Sequence, residues 1–246
     1  MQDNGKITVY MPAGEAREAR MRAAIEADKQ GCFAWGGNAS DLPGDVQFRA
    51  GDKILNLELK DFTGKGGENS DLIGSILNGH LLFQTYKLRK GGNPCAIVVL
   101  GSEDDMKNAC MKSAYSRGKK GDAATDLMIT HENMVWDFEA NCRGQNIGFW
   151  WMKSIPFKRI LSNVHKILTD ADLSRYAPKP MEGEEKAVAL SILAGDGIGP
   201  VKAKNILQKF DLCLMVKDGC MAELEDCDGI GPKLASQIRK NLEVIE

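Results

Sequence analysis

Glu58-Leu59-Lys60 lies in a stretch, Lys53 to Lys60, that reads as a β-strand, so a carboxylate and an ammonium share one face with Leu59 on the other. An acid beside an amine is suited to phosphodiester hydrolysis. The acid is an oxygen ligand for a hard divalent cation, and the amine orients water or offsets charge developing on phosphorus. A second acid must converge with the first, and Asp45 and Asp52 are the candidates. If Gly51-Asp52 is a two-residue turn, Ala50 faces Lys53, Phe48 faces Leu55 and Val46 faces Leu57 on an apolar side. Arg49 then faces Ile54, Gln47 faces Asn56 and Asp45 faces Glu58 on the more polar side, close enough to share Mg²⁺ or Mn²⁺. Asp52 needs a chain reversal before Glu58, because six residues of continuous strand span about 20 Å. That reversal would fall on Ile54, Leu55 and Asn56, which are poor turn residues. The plain alternative is a surface hairpin with scattered charges.

A second pattern sits in the tail. Gly195-Asp196-Gly197-Ile198-Gly199-Pro200 recurs as Cys227-Asp228-Gly229-Ile230-Gly231-Pro232, each copy between helical stretches. Glycines around an isoleucine allow a tight turn with uncovered N–H groups, and proline pre-sets the next helix. Bare amides at a helix N-terminus attract phosphate oxygens, and Lys202, Lys204 and Lys233 stand just beyond. Gly197, Ile198, Gly199, Gly229, Ile230 and Gly231 are thus candidate phosphate-binding residues. Two ordinary glycine-capped turns are the bland reading. Glu223, Glu225, Asp226 and Asp228 crowd the second copy.

The tail resembles a tandem helix–hairpin–helix module, which holds the backbone of duplex DNA. The hairpin has the layout of a PD-(D/E)XK nuclease site, with Asp45 in Pro43-Gly44-Asp45. Ser70 to Gln84 (SDLIGSILNGHLLFQ) is similar to the helix following the ERKxxxD motif of XPF-type structure-specific endonucleases, which carry the same kind of tail. This resemblance covers nearly the whole chain, the first 40 residues least. It implies a metal aspartate at Asp52 rather than Asp45, with Glu58, Lys60 and a last aspartate at Asp71, and Gln84 near Lys60. Both aspartates therefore stand. It also implies a dimer, with a second copy or a related subunit, acting on branched or distorted duplex DNA such as flaps, forks or crossovers. Four departures accompany it. Leu59 replaces the arginine of ERK; a longer loop separates Lys60 from Asp71; His80, a candidate nucleic-acid contact, replaces an arginine; and Tyr10 replaces an opening aspartate, leaving Glu15 as a substitute. Catalytically dead scaffold subunits also occur in that family, and a PD-(D/E)XK resolvase or repair nuclease of another lineage is a further rival.

Around these motifs the chain reads as an α/β domain followed by an all-α one. Strands are expected at Ile7–Tyr10, Val46–Ala50, Lys53–Lys60, Ala96–Leu100 and Asn146–Met152. Helices are expected at Glu15–Lys29, Ser70–Arg89, Glu103–Tyr115, Ala123–Cys142 and Phe157–Leu168. The resulting fold class is a restriction-endonuclease-like domain over residues 1–173, with a central mixed sheet flanked by helices. A linker covers 174–183 and a small tandem helix–hairpin–helix domain covers 184–246.

Composition bounds the rest. The 246 residues are 43% hydrophobic and 27% charged, with a net charge of −2, so DNA binding must come from local donors rather than a global field. The tail beyond Glu182 is net acidic and the remainder slightly basic. No run of about 18 apolar residues predicts a membrane span. Seven cysteines without a CxxC pair fit a reducing intracellular compartment. Cys213, Cys220 and Cys227 read as core fillers, and Trp150 and Trp151 as packing residues. Lys65, Lys119 and Lys120 read as solvated charges, and Glu103 as a helix-start carboxylate.

Overall fold

Alternation of aliphatic and polar residues from Val46 to Asp61 produces a hairpin, with Gly51 at its turn taking φ 64°. Its strands are β3 (Val46–Ala50) and β4 (Lys53–Asp61), paired Val46 to Leu57, Phe48 to Leu55 and Ala50 to Lys53. The computed structural model describes residues 5–15, 17–62, 71–77, 79–180, 198, 200–209, 224–227 and 229–243. The chain divides into two compact units, Met1–Gly74 with Gly91–Lys179, and Ser75–Lys90 with Pro180–Glu246.

The hairpin is the centre of a six-stranded mixed sheet in the first unit. Four more strands complete it: β1 (Ile7–Met11), β2 (Phe33–Asn38), β5 (Cys95–Leu100) and β6 (Gly148–Trp151), in the order β2-β1-β3-β4-β5-β6. β1 runs antiparallel to β3 and parallel to β2, while β5 lies parallel to both β4 and β6. The sheet is flanked by helices, giving the α/β layer architecture that strand–helix alternation predicts.

On one face Val46, Phe48, Leu55, Leu57 and Leu59 join a single apolar cluster with Ala96 and Val98. Helix α6 (Pro156–Leu168) covers it. Phe157, Ile160, Leu161, Val164 and Leu168 recur at helical spacing and are all buried. Met21 of α1 (Glu18–Glu26) belongs to the same cluster. Lys53, at the start of β4, donates from Nζ to the carbonyls of Leu168 (3.2 Å) and Asp170 (2.7 Å), satisfying acceptors at the end of α6. The opposite face of the hairpin is polar. Gln47 donates to Asn56 Oδ1 at 2.9 Å, Arg49 donates to Gln47, and the Arg49 guanidinium lies over the Tyr10 ring.

Two further helices of this unit, α4 (Glu103–Ser116) and α5 (Asp122–Gly144), pack on one another. Ser102 and Asp105 form a capping box, and Glu103 is an exposed carboxylate in the first turn. No helix of the described residues is long and apolar enough to cross a membrane.

One strand was not expected, and one expected helix is corrected. The segment Phe33–Asn38 is a strand, hidden in the sequence by Gly36-Gly37. A β-carbon on Gly36 would come within 2.5 Å of Thr8 and 2.6 Å of the Tyr10 ring, so glycine permits a close approach to β1. The single helix expected over Ser70–Arg89 is two, α2 (Asp71–Leu77) and α3 (His80–Lys90). Gly79 takes φ 76° between them, which ends the first helix. Ser70, the expected cap, lies outside the described residues.

In the second unit α7 (Pro200–Lys209) and α8 (Pro232–Glu243) each begin at the proline of a repeated motif. The repeat shows in its packing: Ile198 and Ile230, Ala203 and Ala235, and Ile206 and Ile238 are all buried.

Gly36→Ala should therefore destabilise the first unit by about 1–3 kcal/mol, through overpacking against Thr8 and Tyr10. Urea denaturation measures this, and an unchanged midpoint would mean that β2 yields freely.

Candidate metal centre at the end of the hairpin

The β3–β4 pairing runs as far as Val46 and Leu57, and a side chain then takes over from the ladder. Asp45 Oδ2 accepts the Leu59 N–H at 2.7 Å, which holds the carboxylate against the segment carrying Glu58 and Lys60. Those two side chains leave β4 on the face opposite Leu57 and Leu59. Lys60 Nζ lies 3.0 Å from Glu58 Oε1, and their side chains are only 5% and 2% exposed. Their register partners on β5 are Ile97 and Val99, both fully buried. A paired acid and amine in apolar surroundings feel a stronger mutual field than in water.

A third element completes the cluster. Arg17 immediately precedes α1, and its NH1 lies 3.3 Å from Glu15 Oε1 and 3.6 Å from Asp45 Oδ2. Its NH2 lies 3.6 Å from Asp61 Oδ2, at the last residue of β4. The Arg17 backbone N–H also donates to Glu15 Oε1. Burial pushes the Asp45 acid above the ordinary aspartate range, and the nearby Glu15 charge adds to this. The Leu59 N–H, Lys60 and Arg17 oppose it without overcoming it.

Asp45, Glu58 and Lys60 are thus brought together, with Glu15 beside them. Asp52 is exposed at the hairpin turn, the far end of continuous β4 from Glu58. Asp71 is the first residue of α2. His80 and Gln84 lie on α3 in the second unit, and Gln84 Oε1 is buried with no hydrogen-bond partner among the described residues. Two members of the cluster, Arg17 and Asp61, were not singled out from sequence. An arginine at a helix start and an aspartate ending a strand are ordinary there, and only the fold brings them to Asp45.

In the tail, Gly229 takes φ 79°, Gly231 is exposed, and Ile230 is buried, with its N–H donating to the Cys227 carbonyl. Lys204 and Lys233 are exposed, and the Lys202 side chain approaches Gly229 of the other copy. Gly197 and Gly199 lie outside the described residues, as do Lys65, Cys213 and Cys220. Cys227 is buried. Trp151 packs among Phe62, Trp136 and Phe149 and donates to Glu139 at 2.8 Å, while Trp150 packs against the core cluster.

Among the described residues no group of three or more His, Cys, Asp or Glu side chains is disposed to hold a metal ion. Of the carboxylates gathered here, Asp45 and Glu58 are the two flanking Leu59 and Lys60, while Glu15 and Asp61 contact Arg17. Carboxylate oxygens suit Mg²⁺ or Mn²⁺, hard ions that complete their shells with water and substrate phosphate. The donors fit in kind, and the charge that burial disfavours on Asp45 is one a divalent cation would compensate.

No family model matches the chain, and no curated protein matches it in sequence. Among solved structures it is similar to XPF from Aeropyrum pernix, at 19% identity over 95% of this chain and 97% of that one, with a TM-score of 0.43. It is also similar to XPF from Aeropyrum pernix in complex with DNA, at 20% identity over 96% and 98%, with a TM-score of 0.40.

Because burial raises the Asp45 acid, ionising it costs more in the folded protein than in the unfolded chain. Stability present at low pH is lost as pH climbs from the ordinary aspartate value through the raised one. In EDTA at pH 7, Asp45→Asn should unfold at no lower urea concentration than wild type, since its amide oxygen still accepts from Leu59. Asp45→Ala, which leaves that N–H without its acceptor, should lose about 1–3 kcal/mol. An Asn variant clearly weaker than wild type at neutral pH would overturn the assignment of burial as the dominant cause.

Proposed function

We propose that this chain is a metal-dependent endonuclease that hydrolyses phosphodiester bonds near branches or junctions in DNA, acting inside the cell as a dimer with a second copy or a related subunit. One observation carries the reading: the Asp45 carboxylate is tied by the Leu59 N–H beside the buried Glu58–Lys60 pair. In this reading Asp45 and Glu58 hold the Mg²⁺ or Mn²⁺. When bound, the ion polarises the phosphate and lowers the pKa of a coordinated water. Lys60, paired with Glu58, orients the attacking water or offsets charge developing on phosphorus. The Leu59 N–H fixes the direction of Asp45, so little reorganisation is left to substrate binding. Gln84 and His80 are proposed to contact the substrate strand, and Asp71 to assist. The glycines of the two repeated motifs before α7 and α8 are proposed to offer their N–H groups to phosphate oxygens, with Lys202, Lys204 and Lys233 on neighbouring phosphates.

A second reading, that of a DNA-binding scaffold without catalysis, is favoured by a specific observation. Cationic side chains already sit against both acids, Lys60 at Glu58 and Arg17 at Asp45.

The test is a labelled flap, fork and crossover cleavage panel with Mg²⁺ or Mn²⁺. Wild type should cut, EDTA should stop it, and Lys60→Ala, Glu58→Gln and Asp45→Asn should each lose about a hundredfold or more. Asp52→Ala should cut like wild type. Activity lost with Asp52 and kept without Asp45 would transfer the ligand role to the turn. Intact junction binding with no cutting by wild type would establish the scaffold instead.

Lys202→Ala and Lys233→Ala should each weaken duplex binding irrespective of sequence and reduce the salt slope of log K by about one. An unchanged slope in fluorescence anisotropy titrations would remove those lysines from the interface.

A further inference from the structure

We propose that Arg17 is an internal cation that occupies the carboxylates of this site and sets how tightly it takes a divalent ion, an inference that rests on the metal-dependent reading above. Arg17 reaches acids from three separate elements: Glu15 in the segment before α1, Asp45 just before β3, and Asp61 at the end of β4. The contacts are not those of a solvated surface pair. The side chains of Arg17, Glu15, Asp45 and Asp61 are 16%, 15%, 22% and 24% exposed.

Its aim is fixed. Glu15 Oε1 accepts from both the Arg17 backbone N–H, at 3.1 Å, and its guanidinium NH1, at 3.3 Å, which holds the fork over the other two acids. The contact with Asp45 is to Oδ2, the oxygen that also accepts the Leu59 N–H. A metal ion at Asp45 therefore meets a carboxylate with one oxygen already shared by an amide and a guanidinium.

The physics is competition for one anionic group. A planar, permanently charged fork can engage several carboxylates at once, and a divalent ion gains Asp45 only by sharing it with that fork or displacing it. Glu15 and Asp61 act here as holders of Arg17 rather than as ligands, in keeping with the absence of a three-acid metal group among the described residues. The consequence is a site that is weak for metal on its own. It strengthens when the guanidinium has another anion to engage, and the phosphate of a bound DNA strand has that chemistry.

The test is Mn²⁺ binding to the full-length protein without DNA, read by calorimetry and by the loss of the free-ion paramagnetic resonance signal. Removing the guanidinium in Arg17→Gln should tighten the Mn²⁺ dissociation constant by about fivefold or more. Arg17→Lys keeps the charge but not the fork and should fall between the two, about twofold tighter than wild type. Adding Asp45→Asn to Arg17→Gln should abolish the gain. If Arg17→Gln fails to fold by circular dichroism, the lysine variant decides alone.

Equal or weaker Mn²⁺ binding in either variant, with wild type still binding through Asp45, overturns the role of Arg17 and leaves the metal-dependent reading intact. A gain that survives Asp45→Asn places the ion elsewhere and also overturns the role. No Mn²⁺ binding by wild type or variant, with or without a DNA junction, removes the metal-dependent reading itself and the inference with it.

Discussion

The site depends on one hydrogen bond, from the Leu59 N–H to Asp45 Oδ2 at 2.7 Å. Beyond the last strand pair an aspartate side chain does what a backbone carbonyl would do in a longer β3, and it brings a carboxylate with it. The same bond closes the hairpin and aims the acid. A glutamate at that position would carry the charge one methylene farther from the strand, and a hydrophobic residue would leave the N–H without this acceptor. Position 45 thus joins the folding of the sheet to the cluster of charged side chains at its end.

The strict two-sidedness of β4 makes this possible. Leu55, Leu57 and Leu59 are buried in the cluster that α6 covers, which fixes the register of the strand against slippage. A one-residue slip would drive Glu58 and Lys60 into that cluster, so core packing on one face determines where the charges on the other must be. The cost is that a carboxylate and an ammonium are both almost fully buried. Their approach to 3.0 Å offsets part of that cost for both.

Much of this was legible from residue types. Period-two alternation and the Gly51-Asp52 turn were enough to write every pair of the β3–β4 ladder from Val46 and Leu57 to Ala50 and Lys53. The helices Glu103–Ser116, Asp122–Gly144 and Pro156–Leu168 follow the expected stretches because their apolar spacing or caps are strong. The strand Phe33–Asn38 was not legible. Its two glycines are there to let β1 approach, and they look like loop composition. The break at Gly79 was hidden because the apolar pattern continues on both sides of a single left-handed residue. Arg17 and Asp61 were missed for a different reason. Their meeting depends on three elements converging, and no local pattern encodes that. In the tail, the buried pairs Ile198 and Ile230, Ala203 and Ala235, and Ile206 and Ile238 give the duplicated motif a shared packing role that the repeat alone suggested.

The Lys53 contacts have a consequence for the order of assembly during synthesis. Nζ of this residue, at the foot of β4, is held by the carbonyls of Leu168 and Asp170, more than a hundred residues later. A nascent chain emerging from the ribosome therefore exposes the whole hairpin long before the partner that clasps it exists. Until α6 has emerged, the leucine-lined side of the ribbon stands bare, a sticky surface of the kind that chaperones shield and that neighbouring nascent chains can pair with.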